Sequence, residues 1–319
     1  MQSGIHDLAR EVFGLYAQEQ YGRALNLVEQ SMAALPHHRS RMTFWAACLE
    51  CRLQRPADAL QRLQALVAKG GWLNPDRLQS DDDLLALRDA PGWNELVAIC
   101  EQRRADEQTQ HVPEVQIELA ENSGNDPSPL IVALHMAGGS AEEIRAHWLP
   151  VTGMGYSLAI PQGDVLLGPG EYSWSDQPAG LIGRHISRLS RTHKLDSERI
   201  VLGGASRGAG HAVELALSGQ PFKAKGFIAV AGAPRIEVVR PLVDIAKGAG
   251  VRGVLIAGDR DPVLPRVRDV HQLLEASGID VRLQVVPGLG HEYPANFADL
   301  LRPAVEFIST GTETKSRIK

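Results

Sequence analysis

The period of the apolar positions changes once along the chain. From Asp7 to Arg104 apolar residues recur at three and four, as in Leu25, Val28 and Met32, or Leu60, Leu63 and Val67. That spacing puts them on one face of an α-helix. Pro36, Pro56, Gly70-Gly71, Pro75 and Pro91-Gly92 interrupt the pattern where helices should stop or start, so the stretch reads as short helical hairpins. Residues 101–112, EQRRADEQTQHV, have no apolar face. From Val115 the apolar residues come in short continuous runs: Val115–Leu119, Leu130–His135, Ser157–Ile160, Ile200–Gly203, Gly226–Val230, Val254–Ala257 and Val281–Val286. Helical patterns alternate with them. Strands that are apolar on both faces and separated by helices indicate a mostly parallel sheet covered on both sides. The expectation is an all-α domain over 1–110 followed by an α/β domain over 111–319.

Composition narrows the function classes. The chain is 44% hydrophobic and 22% charged, as in an ordinary globular protein, and its net charge of -5 includes no run of Lys and Arg able to track a phosphate backbone. Nucleic acid is excluded as a partner on that ground. Met1–Arg10 has no basic segment leading into an apolar run, and no apolar stretch approaches the ~20 residues that span a bilayer. A cytoplasmic protein with no membrane partner is expected. Cys48 and Cys51 form a C-x-x-C, but inside a helical pattern and without a second ligand pair, so core packing is favoured over a zinc site.

A repeat lies within the helical stretch. Tyr21-Gly-Arg-Ala24-Leu25 is matched by Pro56-Ala-Asp-Ala59-Leu60, 35 residues apart at the alanines. Leu15, Ala24, Val28, Ser31 and Pro36 carry a resemblance to the tetratricopeptide repeat, with Ala59, Leu63 and Leu66 in the second copy. The resemblance implies that this domain recruits another protein, covers the cleft or pairs subunits.

In a parallel sheet ligands meet the chain beyond the carboxyl ends of the strands, and four such ends carry chemistry. The first is Arg199-Ile-Val-Leu-Gly-Gly204-Ala-Ser206-Arg207-Gly208-Ala-Gly210. It reads as a strand, a sharp turn with small residues two places either side of Ser206, and a helix to about Ser218. Gly204 and Gly208 remove the side chains that would strike neighbouring backbone, as a nucleophile elbow requires. The same turn aims the NH of Arg207 at an oxygen that becomes negative during acyl transfer. The spacing fits neither a Gly-x-Gly-x-x-Gly nor a P-loop. A helix N-cap remains the plain alternative for Ser206.

The other three ends are Leu130–His135 running into Met136-Ala137-Gly138-Gly139, Val254–Gly258 running into Asp259-Arg-Asp261, and Val285-Val-Pro-Gly288-Leu-Gly290-His291. The plain alternative for Asp259 and Asp261 is that both cap a helix beginning near Val267. Together the four segments resemble the α/β-hydrolase superfamily, in which nucleophile, acid and histidine follow in this chain order. The resemblance covers Val115 to about Phe307. It implies a triad of Ser206, Asp261 and His291, the acid being the one three residues after Gly258. It also implies an oxyanion hole from the NH groups of Ala137 and Arg207, with Met136 standing where glycine is usual.

Within the superfamily, Ala159-Ile-Pro161-Gln162-Gly163 and Gly168-Pro-Gly-Glu-Tyr172-Ser-Trp174-Ser-Asp176 are similar to the phospholipase/carboxylesterase and feruloyl-esterase-like group. That implies a small-molecule ester substrate, an acyl-enzyme, and no metal or organic cofactor. Tyr172 and Trp174 become either an aromatic wall for the substrate or part of a packed surface loop. A peptidase resembling the prolyl-oligopeptidase type, or a binding protein without catalysis, would leave the same pattern.

Overall fold

The computed structural model describes residues 5–121 and 126–310. The first four residues of the N-terminal stretch read above lie outside the described residues. The chain forms two compact units: Met1–His111 with Leu166–Glu171, and Val112–Val165 with Tyr172–Lys319.

The first unit is helical: α1 (Ile5–Ala17), α2 (Tyr21–Ser31), α3 (Arg39–Arg52), α4 (Pro56–Ala68), α5 (Pro75–Ser80) and α6 (Trp93–Gln110). Pro56 and Pro75 stand in the first turns of α4 and α5, where a missing NH costs nothing, and the Asn74 side chain caps α5. Ala24 and Ala59 are each the fourth residue of the second helix in a pair, and both are fully buried. Small side chains there let the paired helices approach. Cys48, Cys51 and Cys100 are all buried and free. The segment 166–171 belongs to this unit through Glu171, which pairs with Arg41 at 2.7 Å, and through the Leu166 NH, which donates to Gln108 Oε1 at 2.8 Å.

The second unit is a doubly wound sheet. Its strands are β1 (Val115–Glu118), β2 (Ser128–Leu134), β3 (Ser157–Pro161), β6 (Leu195–Ala205), β7 (Ala224–Val230), β8 (Arg252–Gly258) and β9 (Asp280–Val286), in the order β1-β3-β2-β6-β7-β8-β9. β1 runs antiparallel to β3, and every other neighbouring pair is parallel. A two-stranded ribbon, β4 (Val165–Gly168) and β5 (Glu171–Ser173), interrupts the alternation. The helices are α7 (Ala141–Trp148), α8 (Ala179–Thr192), α9 (Arg207–Ser218), α10 (Ile236–Val239), α11 (Val243–Ala249), α12 (Leu264–Ala276) and α13 (Phe297–Thr310).

The central strands are buried on both faces between two apolar clusters. One is built on Val132, Leu202, Phe227 and Leu255, the other on Ile131, Val201, Ile228 and Ile256. Alternate residues of each strand thus feed opposite layers. α12 begins at Leu264 rather than near Val267, because Pro265 occupies its first turn. Among the described residues no helix is long and apolar enough to cross a membrane.

Candidate active site

Ser206 stands between the last residue of β6 and the first of α9, at φ 52 and ψ -116. This is a positive φ that only glycine adopts without cost. The geometry is held from several sides. The Ser206 NH donates to Val230 O at 2.9 Å, and its carbonyl accepts from Gly210 NH at 3.0 Å. A Cβ on Gly204 would come within 2.6 Å of the Gly208 backbone, and one on Gly208 would strike the carbonyl oxygens of Leu134 and His135. Gly232 is a third such position, invisible to the motif, where a Cβ would meet the Ser206 backbone itself. The helix-cap alternative fails, since Ser206 makes no side-chain cap bond.

The Ser206 hydroxyl points at His291. Oγ lies 2.8 Å from Nε2, and His291 Nδ1 lies 3.0 and 3.1 Å from the two oxygens of Asp261. An ionised carboxylate only accepts, so Nδ1 carries the proton, Nε2 is the free acceptor, and Ser206 donates to it. The Asp261 side chain is fully buried, whereas that of His291 is 37% exposed. Asp261 also accepts from Val263 NH at 2.9 Å at the start of α12, so it turns the chain into the helix while it orients the imidazole. Asp259 does different work: its Oδ1 accepts from Gly288 NH at 2.7 Å in the loop that carries His291. That loop is pinned further on by Tyr293, a buried residue whose hydroxyl accepts from Trp148 Nε1 at 2.9 Å.

Ala137 and Arg207 line the same cleft as Ser206 and His291. The Arg207 NH is the first of α9, without an intrahelical acceptor. Among the described residues neither it nor the Ala137 NH has a protein partner. The loop from Met136 to Gly139 is braced by strand β5 and its continuation. Gly138 NH donates to Tyr172 O at 2.8 Å, Tyr172 NH donates to Gly139 O at 3.0 Å, and Trp174 Nε1 donates to His135 O at 2.8 Å.

The aromatic pair therefore sits elsewhere than the substrate wall considered above. Trp174 is 1% exposed, packed in the core and tilted on the His135 ring at 4.8 Å, and neither Trp174 nor Tyr172 lines the cleft. The indole NH needs an acceptor when buried, and the loop carbonyl supplies it. The role of Trp174 is to hold the strand end from which the Met136–Gly139 loop departs.

His135 itself is fully buried. Nδ1 lies 2.8 Å from Met136 O, and Nε2 accepts from Gly163 NH at 2.9 Å and faces Gln162 Nε2 at 3.0 Å. Those partners fit one neutral tautomer, and burial lowers its pKa to about 4. The Arg207 guanidinium donates to Trp174 O at 2.9 Å and pairs with Asp176 at 2.9 Å, which fastens the same strand end to the elbow. No local motif signals these braces, because they join segments far apart in sequence.

Among the described residues one group elsewhere has donors suited to a metal. Cys48 Sγ and an oxygen of each of Asp81 and Asp83 lie within 4.8 Å of one another. Burial and the two aspartates push the Cys48 thiol far up, and Asp83 is engaged by Tyr16 at 2.8 Å and Arg52 at 3.2 Å. A protonated thiol is a poor ligand.

The cleft has a volume of about 620 Å³, within the range of small-molecule sites. Residues 5–108 match the family model described as the A/B hydrolase-like N-terminal domain. Among solved structures, an uncharacterized protein from Bacillus cereus is 22% identical, with 96% of this chain and 99% of that one covered and a TM-score of 0.54. Esterase PE8 is 21% identical, with 61% and 100% covered and a TM-score of 0.50. No curated protein matches the chain. The second unit has the α/β-hydrolase fold, and a helical region precedes it.

Proposed function

We propose that the protein is a serine hydrolase that cleaves carboxylic esters through an acyl-enzyme on Ser206. The observation that carries this reading is the hydrogen-bonded row Ser206–His291–Asp261, open to a cleft at its serine end. His291 Nε2 takes the Ser206 proton as Oγ attacks the ester carbonyl carbon, and Asp261 stabilises the imidazolium that results. The carbonyl oxygen becomes an oxyanion in reach of the NH groups of Arg207 and Ala137, with the positive end of α9 behind it. His291 then returns the proton to the departing alcohol. Water enters and gives a proton to the same nitrogen as its oxygen attacks the acyl carbon; the bond to Ser206 then breaks, the acid leaves, and His291 returns that proton to Oγ.

Each side chain needed for this sequence belongs to the chain itself. The esterase of similar fold is consistent with ester chemistry, although the fold is shared by many reactions.

The test is labelling of the full chain with a fluorophosphonate, followed by turnover of short acyl esters. Covalent modification at Ser206 and a loss of roughly a million-fold in kcat for Ser206→Ala are expected. Labelling at another residue, or undiminished turnover by Ser206→Ala, would refute the assignment. Absence of labelling with the fold intact would favour a binding protein, and faster cleavage of aminoacyl amides than of esters would favour a peptidase.

A further inference from the structure

The charges around the cleft run against those of the whole chain. The net charge is -5, yet the cleft is lined by three arginines, Arg207, Arg235 and Arg266, against two acids, Asp176 and Glu214. Arg207 is spent on Asp176 and on the Trp174 carbonyl. Among the described residues Glu214 pairs with no arginine; its carboxylate is 4.0 Å from His211 Nδ1. Burial leaves His211 neutral, with a pKa lowered to about 4. Two guanidinium groups remain. Arg235 and Arg266 are both exposed, and among the described residues neither guanidinium has a hydrogen-bond or ion-pair partner.

Folding gives no reason for either. Arg266 lies in the first turn of α12, a helix of 13 residues with no acid in that turn. A cation there faces the positive end of the helix dipole, which disfavours it. Arg235 is the residue before α10 and makes no cap bond, although short polar side chains are the ones that stabilise such a position. Val238 and Val263 line the same cleft. Two unpaired forks lining one cleft, Arg266 in the first turn of α12, are suited to a carboxylate or phosphate oxygen pair.

We propose that the substrates are esters bearing an anionic group, held by Arg235 and Arg266 while the ester carbonyl lies at Ser206. The proposal rests on Ser206 being the nucleophile. The anionic group belongs to the acyl half or to the alcohol half, and the two sources separate with matched substrate pairs.

Rates of acid release by the full-length protein are compared for monoethyl against diethyl adipate, which tests the acyl half. For the alcohol half, 4-acetoxybenzoate is compared with its methyl ester. The anionic member of at least one pair is expected to have the higher kcat/KM, by roughly tenfold or more. That preference should shrink as salt is added, because exposed charges are screened. In Arg235→Gln/Arg266→Gln the ratio of anionic to neutral kcat/KM should fall toward one. Preference for the neutral member in both pairs, or an anionic preference that survives the double substitution, would overturn the proposal while fluorophosphonate labelling of Ser206 persists. If labelling also fails, the reading of Ser206 fails and this proposal with it.

Discussion

The backbone at Ser206 can be tested apart from its hydroxyl by comparing Ser206→Gly with Ser206→Ala. Both remove Oγ and its 2.8 Å contact with His291, so they differ only by a methyl group on a residue at φ 52. Alanine keeps the Cβ in a region that costs about 1–3 kcal/mol for a residue other than glycine. Glycine relieves that cost but gains freedom in the unfolded chain, which offsets about 0.4–1 kcal/mol. The lost methyl contact is a fraction of ~0.8 kcal/mol at this half-buried site. Ser206→Gly should therefore be the more stable of the two by about 1 kcal/mol. Because the chain has two units, a single melting curve does not isolate the effect. Native-state hydrogen exchange of the amides in Leu195–Ala205 reads the second unit directly. An alanine variant as stable as the glycine variant, or more so, would refute the claim that the turn is strained at this residue.

Gly208→Ala should lose at least about 2 kcal/mol and most fluorophosphonate labelling, because its Cβ enters the Leu134 and His135 carbonyls; Gly210→Ala, whose Cβ would have 3.7 Å to its nearest neighbour, should fold as well as wild type or better by urea titration. The fully buried His135 is neutral, with its pKa lowered from 6.5 to about 4, so the unfolded chain takes up this proton first as pH falls. Its contribution is complete above about 6.5 and lost as pH drops to about 4, on the order of 3 kcal/mol, and urea midpoints for His135→Asn should show a shallower decline over that window than wild type. Tyr293→Phe leaves the buried Trp148 NH without its acceptor, which should cost about 1–3 kcal/mol and lower kcat more than it raises KM, since the loop carrying His291 loosens.

What the sequence makes legible here follows from where each constraint originates. The five inner strands of the main sheet could be read because a strand covered on both faces must be apolar throughout; the edge strands Val115–Glu118 and Asp280–Val286 are read instead from apolar residues alternating with polar ones. β6 begins five residues before its apolar run because Asp196, Ser197, Glu198 and Arg199 extend it as exposed or half-exposed backbone that periodicity cannot distinguish from loop. Ser206 was legible for a local reason: its turn needs small residues at fixed offsets, and those offsets lie within one stretch of chain. Trp174 was not, because whether an indole faces a cleft or a core depends on an acceptor, the His135 carbonyl, contributed 39 residues away. The ribbon of β4 and β5 escaped for want of length, three and four residues offering no period. Arg235 and Arg266 follow β7 and β8 at no recognisable spacing, and only the parallel order β6-β7-β8 brings the ends of those strands round to Ser206. Ser206, Asp261 and His291 can be read as motifs because each stands in a turn at a strand end that must satisfy a local steric rule. Arg235 and Arg266 need only arrive at the same end of the sheet, so they are found by charge and partnership once the strands are in order.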